Sequence, residues 1–297
     1  MAKDDLIKRL KAVNAAKIDV MDGAGADFVK SLDKVLSRLN TRVQGLVGDL
    51  EGDKHILTSQ RNLARAVNAQ AQIEEMLLEA GYRDSVDGLM KSYDKVADID
   101  MAGFRVAGIN DPFSETDARA IVALKDLDLT RWERFGGDLS LSIQAQLLDA
   151  VVSGATFKEL ENAVEEALRG VKGDDPKVLR HARTIANTTT QGFDRTITHR
   201  KAATAKIDTF VYLGPDDGVT RPFCAAVLSG QESKEFRIPS VDGDPPIYTD
   251  EQISRMDNGQ GLDVATYCGG YNCRHSFNPI SVEKDEPEEQ VAEEVLA

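Results

Sequence analysis

The chain has 297 residues, 41% hydrophobic and 29% charged, the balance of a globular protein, which excludes wholesale disorder. Its net charge of −14 makes it a poor general ligand for DNA or an anionic membrane unless its cations are gathered locally. No apolar run approaches the roughly 18 residues of a spanning helix, and the N-terminal MAKDDLIKRLKAVNAAKID has no signal-peptide core. Three cysteines are an odd count and too few for a secreted disulfide scaffold, so folding in a reducing cytosol is expected.

Phe28, Leu32, Val35, Leu36, Leu39, Val43, Leu46 and Leu50 recur at three- and four-residue steps and predict a long amphipathic helix. The preceding GAGAD, Gly23 to Asp27, imitates the start of a dinucleotide fingerprint but lacks its third glycine and follows no strand, so it reads as a helix-start glycine pair. Leu63, Val67, Ile73, Leu77 and Leu78 line a second helix that stops at Gly81. Val86, Leu89, Met90, Tyr93 and Val96 line a third, and Met101 to Phe113, with Gly103, Gly108 and Pro112, reads as a connection. Ser114 with Asp117 and Thr156 with Glu159 form two capping boxes, the second opening a helix that closes at Gly170. Asp175 and Pro176 open a further helix that runs to about Lys206.

From Ile207 the texture changes. Thr209 to Leu213 is β-like, and short apolar pieces (Phe236 to Ile238, Ile247 to Tyr248, Phe277 to Ile280) lie between Gly- and Pro-rich turns. The expected fold class is a mainly α N-terminal region of long amphipathic helices followed by a small α+β C-terminal domain. Residues 1–100 and 101–176 form helical segments, and 177–281 a basic helix with its small α+β unit. Residues 282–297 carry seven acids against Lys284 and are expected to be a solvated, mobile tail.

The helix from 177 to 206 carries Lys177, Arg180, Arg183, Arg195, Arg200, Lys201 and Lys206 against Asp194 alone. Such a face could touch nucleic acid. It could equally be solvated, or pair with the acidic domain that follows. His181 and His199 lie eighteen residues apart, five helical turns, and so cannot share an ion. Walker A, HExxH and GxSxG signatures are missing, so no enzymatic role is expected.

All three cysteines fall in the last domain: Cys224, Cys268 and Cys273, with His275 two residues after the last. Three thiolates and an imidazole form a Cys₃His set suited to structural Zn²⁺. The same residues also fit small buried packers, or a disulfide between Cys224 and Cys268 or between Cys268 and Cys273.

Two anchors in this domain carry a family likeness. They are Asp217-Gly218-Val219-Thr220-Arg221-Pro222-Phe223-Cys224 and Gly269-Gly270-Tyr271-Asn272-Cys273-Arg274-His275, the latter closed by Pro279. Residues 177 to 281 thereby resemble the C-terminal domain of phage head morphogenesis proteins, the Mu F-like minor head family; Phe277 stands where that ending often has Trp. The resemblance implies a minor capsid component of a tailed phage. Such a protein is made in the bacterial host, associates with the portal protein and other head proteins at the portal vertex, and stays in the virion. Some members of the family are thought to bind DNA and influence its ejection, which gives the alternative of a protein that escorts packaged DNA. The N-terminal helices are expected to contact the portal or other head proteins, or further copies of the chain, and no membrane. Within the anchors, Arg221 and Arg274 are each expected to fork onto a carboxylate (Asp216, Asp217 or Asp263) and lock the two segments together.

Overall fold

The computed structural model describes residues 3–109, 113–170 and 176–281. The tail at 282–297 and the Asp175 expected at a helix start lie outside the described residues. Helix α1 (Lys3–Gly48) has 46 residues and, at 1.5 Å per residue, spans about 69 Å. It is followed by α2 (Gln60–Glu79), α3 (Tyr82–Val106), α4 (Glu115–Ser153), α5 (Phe157–Arg169) and α6 (Lys177–Thr204). The capping boxes of α4 and α5 form as expected, and Gly81, at φ +100°, turns the chain between α2 and α3.

One apolar core joins these six helices. Leu32, Leu36, Leu39 and Val43 of α1, Ile73 and Leu77 of α2, and Val86, Tyr93 and Val96 of α3 all lie in it. Trp132, Ile143 and Val151 of α4, Leu160 and Val164 of α5, and Ala182, Ala186, Phe193 and Ile197 of α6 complete it. Phe28 sits 4.5 Å, centroid to centroid, from the fully buried Trp132. The basic helix α6 is therefore an integral member of the bundle.

Two expected breaks lie elsewhere. Gly23 and Gly25 are inside α1, not at its start, because Ile7, Leu10 and Met21 carry the buried stripe back almost to the N-terminus. Asn14 and Lys17 occupy two core positions of that stripe and hide its period. Met101 to Val106 likewise continue α3, through Gly103, because burial of Phe104 outweighs the roughly 1 kcal/mol cost of a helical glycine. The turn comes at Gly108, φ +83°.

The C-terminal unit has a three-stranded antiparallel sheet in the order β2-β1-β3, formed by β1 (Thr209–Leu213), β2 (Ile247–Thr249) and β3 (Ser276–Pro279). Phe210 pairs with Tyr248 and Tyr212 with Phe277, so alternate residues of β1 turn their rings into a second core. Short helices α7 (Pro222–Ser229), α8 (Asp250–Arg255) and α9 (Val264–Tyr267) cover it. The opposite face, through Val211 and Leu213, packs on Leu10, Phe104, Ala107 and Ile109. The small domain is thus seated on α1 and on the α3 C-terminus.

Candidate metal centre

Two segments bring the candidate ligands together. Cys224 lies in the first turn of α7, which Pro222 opens at a position where its missing N–H costs nothing. Cys273 and His275 lie on the segment that enters β3. The Cys224 and Cys273 sulfurs are 3.6 Å apart, and Cys273 Sγ is 3.7 Å from His275 Nδ1. All three ligand atoms lie within 4.8 Å of one another, so the triad could hold a metal ion. It is buried: Cys224 is 1% exposed, Cys273 5% and His275 4%.

The expected Cys₃His set is corrected to Cys₂His. Cys268, also fully buried, caps α9 with φ +47°, its N–H donating to the Val264 carbonyl and its carbonyl accepting from Asn258, and it is not in the group whose ligand atoms lie within 4.8 Å of one another. Neither disulfide expected through Cys268 is formed in the structure. The sulfurs in contact are Cys224 and Cys273, and all three cysteines are free.

Close chain approach depends on two glycines. A Cβ on Gly269 would stand 2.4 Å from Cys224 Sγ, and one on Gly214 would stand 2.3 Å from the His275 ring. The Gly269 N–H donates to Cys273 Sγ at 3.3 Å. The Tyr212 hydroxyl donates to Cys224 Sγ at 3.4 Å, and its ring stacks on His275 at 5.3 Å. Tyr212 and Gly214 were not expected at the centre; the alternation of Phe210 and Tyr212 toward one face was the available signal.

Electrostatics divides the two sulfurs. The thiol of Cys224 hydrogen-bonds to Cys273 and pulls it below the ordinary thiol range; burial opposes this, and His275 and the Arg195 guanidinium add to it. The same hydrogen bond, with burial, pushes Cys224 up. Burial pushes Cys268 up to about 12.

The two anchors are clamped across this centre. Arg274 pairs with Asp217, one of the expected carboxylates. Arg221 instead donates to the carbonyls of Gly269 and Tyr271, because its position as the N-cap of α7 aims it at backbone. Thr220 Oγ accepts from the Asp217 N–H at 2.9 Å and closes the first anchor's turn. In the second, Gly270 and Asn272 adopt positive φ, and the Asn272 N–H donates to Thr188 of α6.

The expected nucleic-acid face is broken. Arg195 is 1% exposed: its Nε donates to the His275 carbonyl at 2.9 Å and its Nη1 to Thr266 at 3.0 Å, while Nη2 serves Gln191 and Cys273. It ties the segment entering β3 to the bundle and cannot contact DNA. Lys201, 3% exposed, lies 3.7 Å from Asp117 Oδ2, and Arg200 3.6 Å from its Oδ1. Lys177, Arg180 and Arg183 remain on the exposed first turns of α6, and Lys206 is exposed beyond its end. Asp194, the one acid of the helix, is fully buried: Lys17 Nζ lies 2.6 Å from it and 2.9 Å from Asp100. Among the described residues no helix is long and apolar enough to cross a membrane. Compared with known protein families, with characterised proteins and with solved structures, the chain matches none.

Proposed function

We propose that this is a non-enzymatic minor head protein of a tailed phage, assembled on the portal vertex in the host cytoplasm and retained in the virion. The observation that carries the reading is the joining of the two anchors: the segments whose residues resemble the Mu F-like family meet around one buried Cys/His centre, held by Arg221 and Arg274. The bundle offers a surface for the portal or other head proteins. The Gln144 amide reaches the carbonyls of Ala66 and Val67, so exposed Leu141 and Leu148 of α4 flank exposed Val67 of α2. Burial of Arg195 and Lys201 weakens the DNA-escort alternative.

Zn²⁺ is the ion we assign to Cys224, Cys273 and His275. Around tetrahedral zinc, thiolates at about 2.3 Å stand about 3.8 Å apart, and thiolate and imidazole about 3.6 Å apart. The separations of 3.6 and 3.7 Å support that geometry. Burial on both anchors supports a structural role, a staple between α7 and β3.

Co-expression with a tailed-phage portal protein, followed by co-purification and particle mass, tests the function. A complex with a fixed number of copies per portal ring is expected. No complex, with the chain instead retained on DNA at low salt, overturns the reading in favour of DNA escort.

A further inference from the structure

Resting on the zinc reading, we propose that the centre is redox-exchangeable: a hydroperoxide converts Cys224 and Cys273 into a disulfide and releases the ion, so the anchors pass from a metal staple to a covalent one. The sulfurs are 3.6 Å apart, about 1.6 Å beyond a disulfide bond. Arg221 holds the Gly269 and Tyr271 carbonyls, and Arg195 holds those of Cys273 and His275, so the backbone around both sulfurs is fixed by guanidinium clamps. Gly269 leaves the space between the two sulfurs free of a side chain.

A cleft of about 610 Å³ between α1 and the small domain is lined by Tyr212, Gly214 and Arg274, beside the triad. The Cys273 sulfur, already accepting from the Gly269 N–H, is the nucleophile. It attacks one oxygen of the hydroperoxide, forming a sulfenic acid as the O–O bond breaks and the other oxygen leaves as water from hydrogen peroxide or as an alcohol from an organic hydroperoxide. The Cys224 sulfur then attacks that sulfur, the S–O bond breaks, and water leaves as the S–S bond forms. Two sulfurs lose one electron each, the peroxide gains two, two protons come from solvent, and Zn²⁺ is released from His275. Cys268, pinned in the α9 capping turn, takes no part.

The test uses the full-length, reduced, zinc-loaded chain treated with hydrogen peroxide. Zinc is followed with a chromophoric chelator, thiols by alkylation and pairing by peptide mass spectrometry. One ion lost for every two thiols, a Cys224–Cys273 cross-link, identical behaviour of Cys268→Ser and reversal by dithiothreitol with zinc are expected. A cross-link through Cys268, sulfinic acid without a cross-link, or oxidation with zinc retained overturns the exchange. A reduced chain that binds no zinc overturns the metal reading itself, whereas a zinc-bearing chain that forms no disulfide overturns only the exchange. The wild-type chain carries the test, so it does not depend on whether Cys224→Ser folds.

Discussion

The helical bundle and the small sheet domain bury their residues by different means. In the bundle, α1 alone contributes Leu32, Leu36, Leu39, Val43 and Val47 to one apolar core, and burial is spread over many aliphatic side chains. The sheet domain has short elements, the longest strand five residues. It relies on concentrated polar devices instead: Arg195 on three carbonyls, Arg221 on two, and the Cys/His triad. Distributed apolar burial makes each residue moderately important, whereas a few polar hubs make some residues critical and their neighbours dispensable.

Denaturant unfolding of point variants measures that contrast. Arg195→Met is expected to be the most damaging change, about 4 kcal/mol, because three carbonyls lose their donor in the interior. A cost near that of an exposed arginine would break the comparison. Leu39→Ala in the bundle is expected to cost about 3 kcal/mol through lost burial and a residual cavity.

The bundle's own polar hub, Lys17 between Asp100 and Asp194, sharpens the comparison through pH. Burial, opposed by Lys17 and reinforced by Asp194, lifts Asp100 well above the usual carboxylate range. A raised folded pKa means that its contribution is complete below the unfolded value of 3.8 and is lost as pH rises through the higher folded value. Asp100→Asn is therefore expected to remove this loss and to flatten the pH profile of stability above about pH 4. An unchanged pH slope in the variant would place the proton elsewhere. The smallest effect is expected from Arg274→Ala: this ion pair is a third or more exposed on both sides, so the unfolding midpoint should stay close to wild type.

The bundle was the more legible region. Helical spacing located the core of α1 from Phe28 to Leu50, and Ser114, Thr156 and Gly81 marked real helix ends. The stripe of α1 before Phe28 was missed because Asn14 and Lys17 occupy apolar positions; their partners, Ser276, Asp100 and Asp194, lie far away in the chain. The centre was half legible. Soft-ligand residue types and clustering singled out four candidates, but spacing cannot say which sulfurs converge, and only Cys224 and Cys273 join His275 in the described group.

The residues of the basic helix show where sequence stops. Seven cations on one helix read as a charged face, yet only the crossing of α6 with α4 and the segment entering β3 decides that Arg195 and Lys201 are interior while Lys177, Arg180 and Arg183 stay exposed. Period, caps and ligand chemistry are local properties, set by residues within a turn or two of one another. Which charge is buried, which thiol meets which, and what each arginine holds depend on residues some 50 to 80 positions apart, such as Arg221 with Tyr271 and Arg195 with His275. Side-chain chemistry was fixed locally; partnership was decided by the packing of the whole chain.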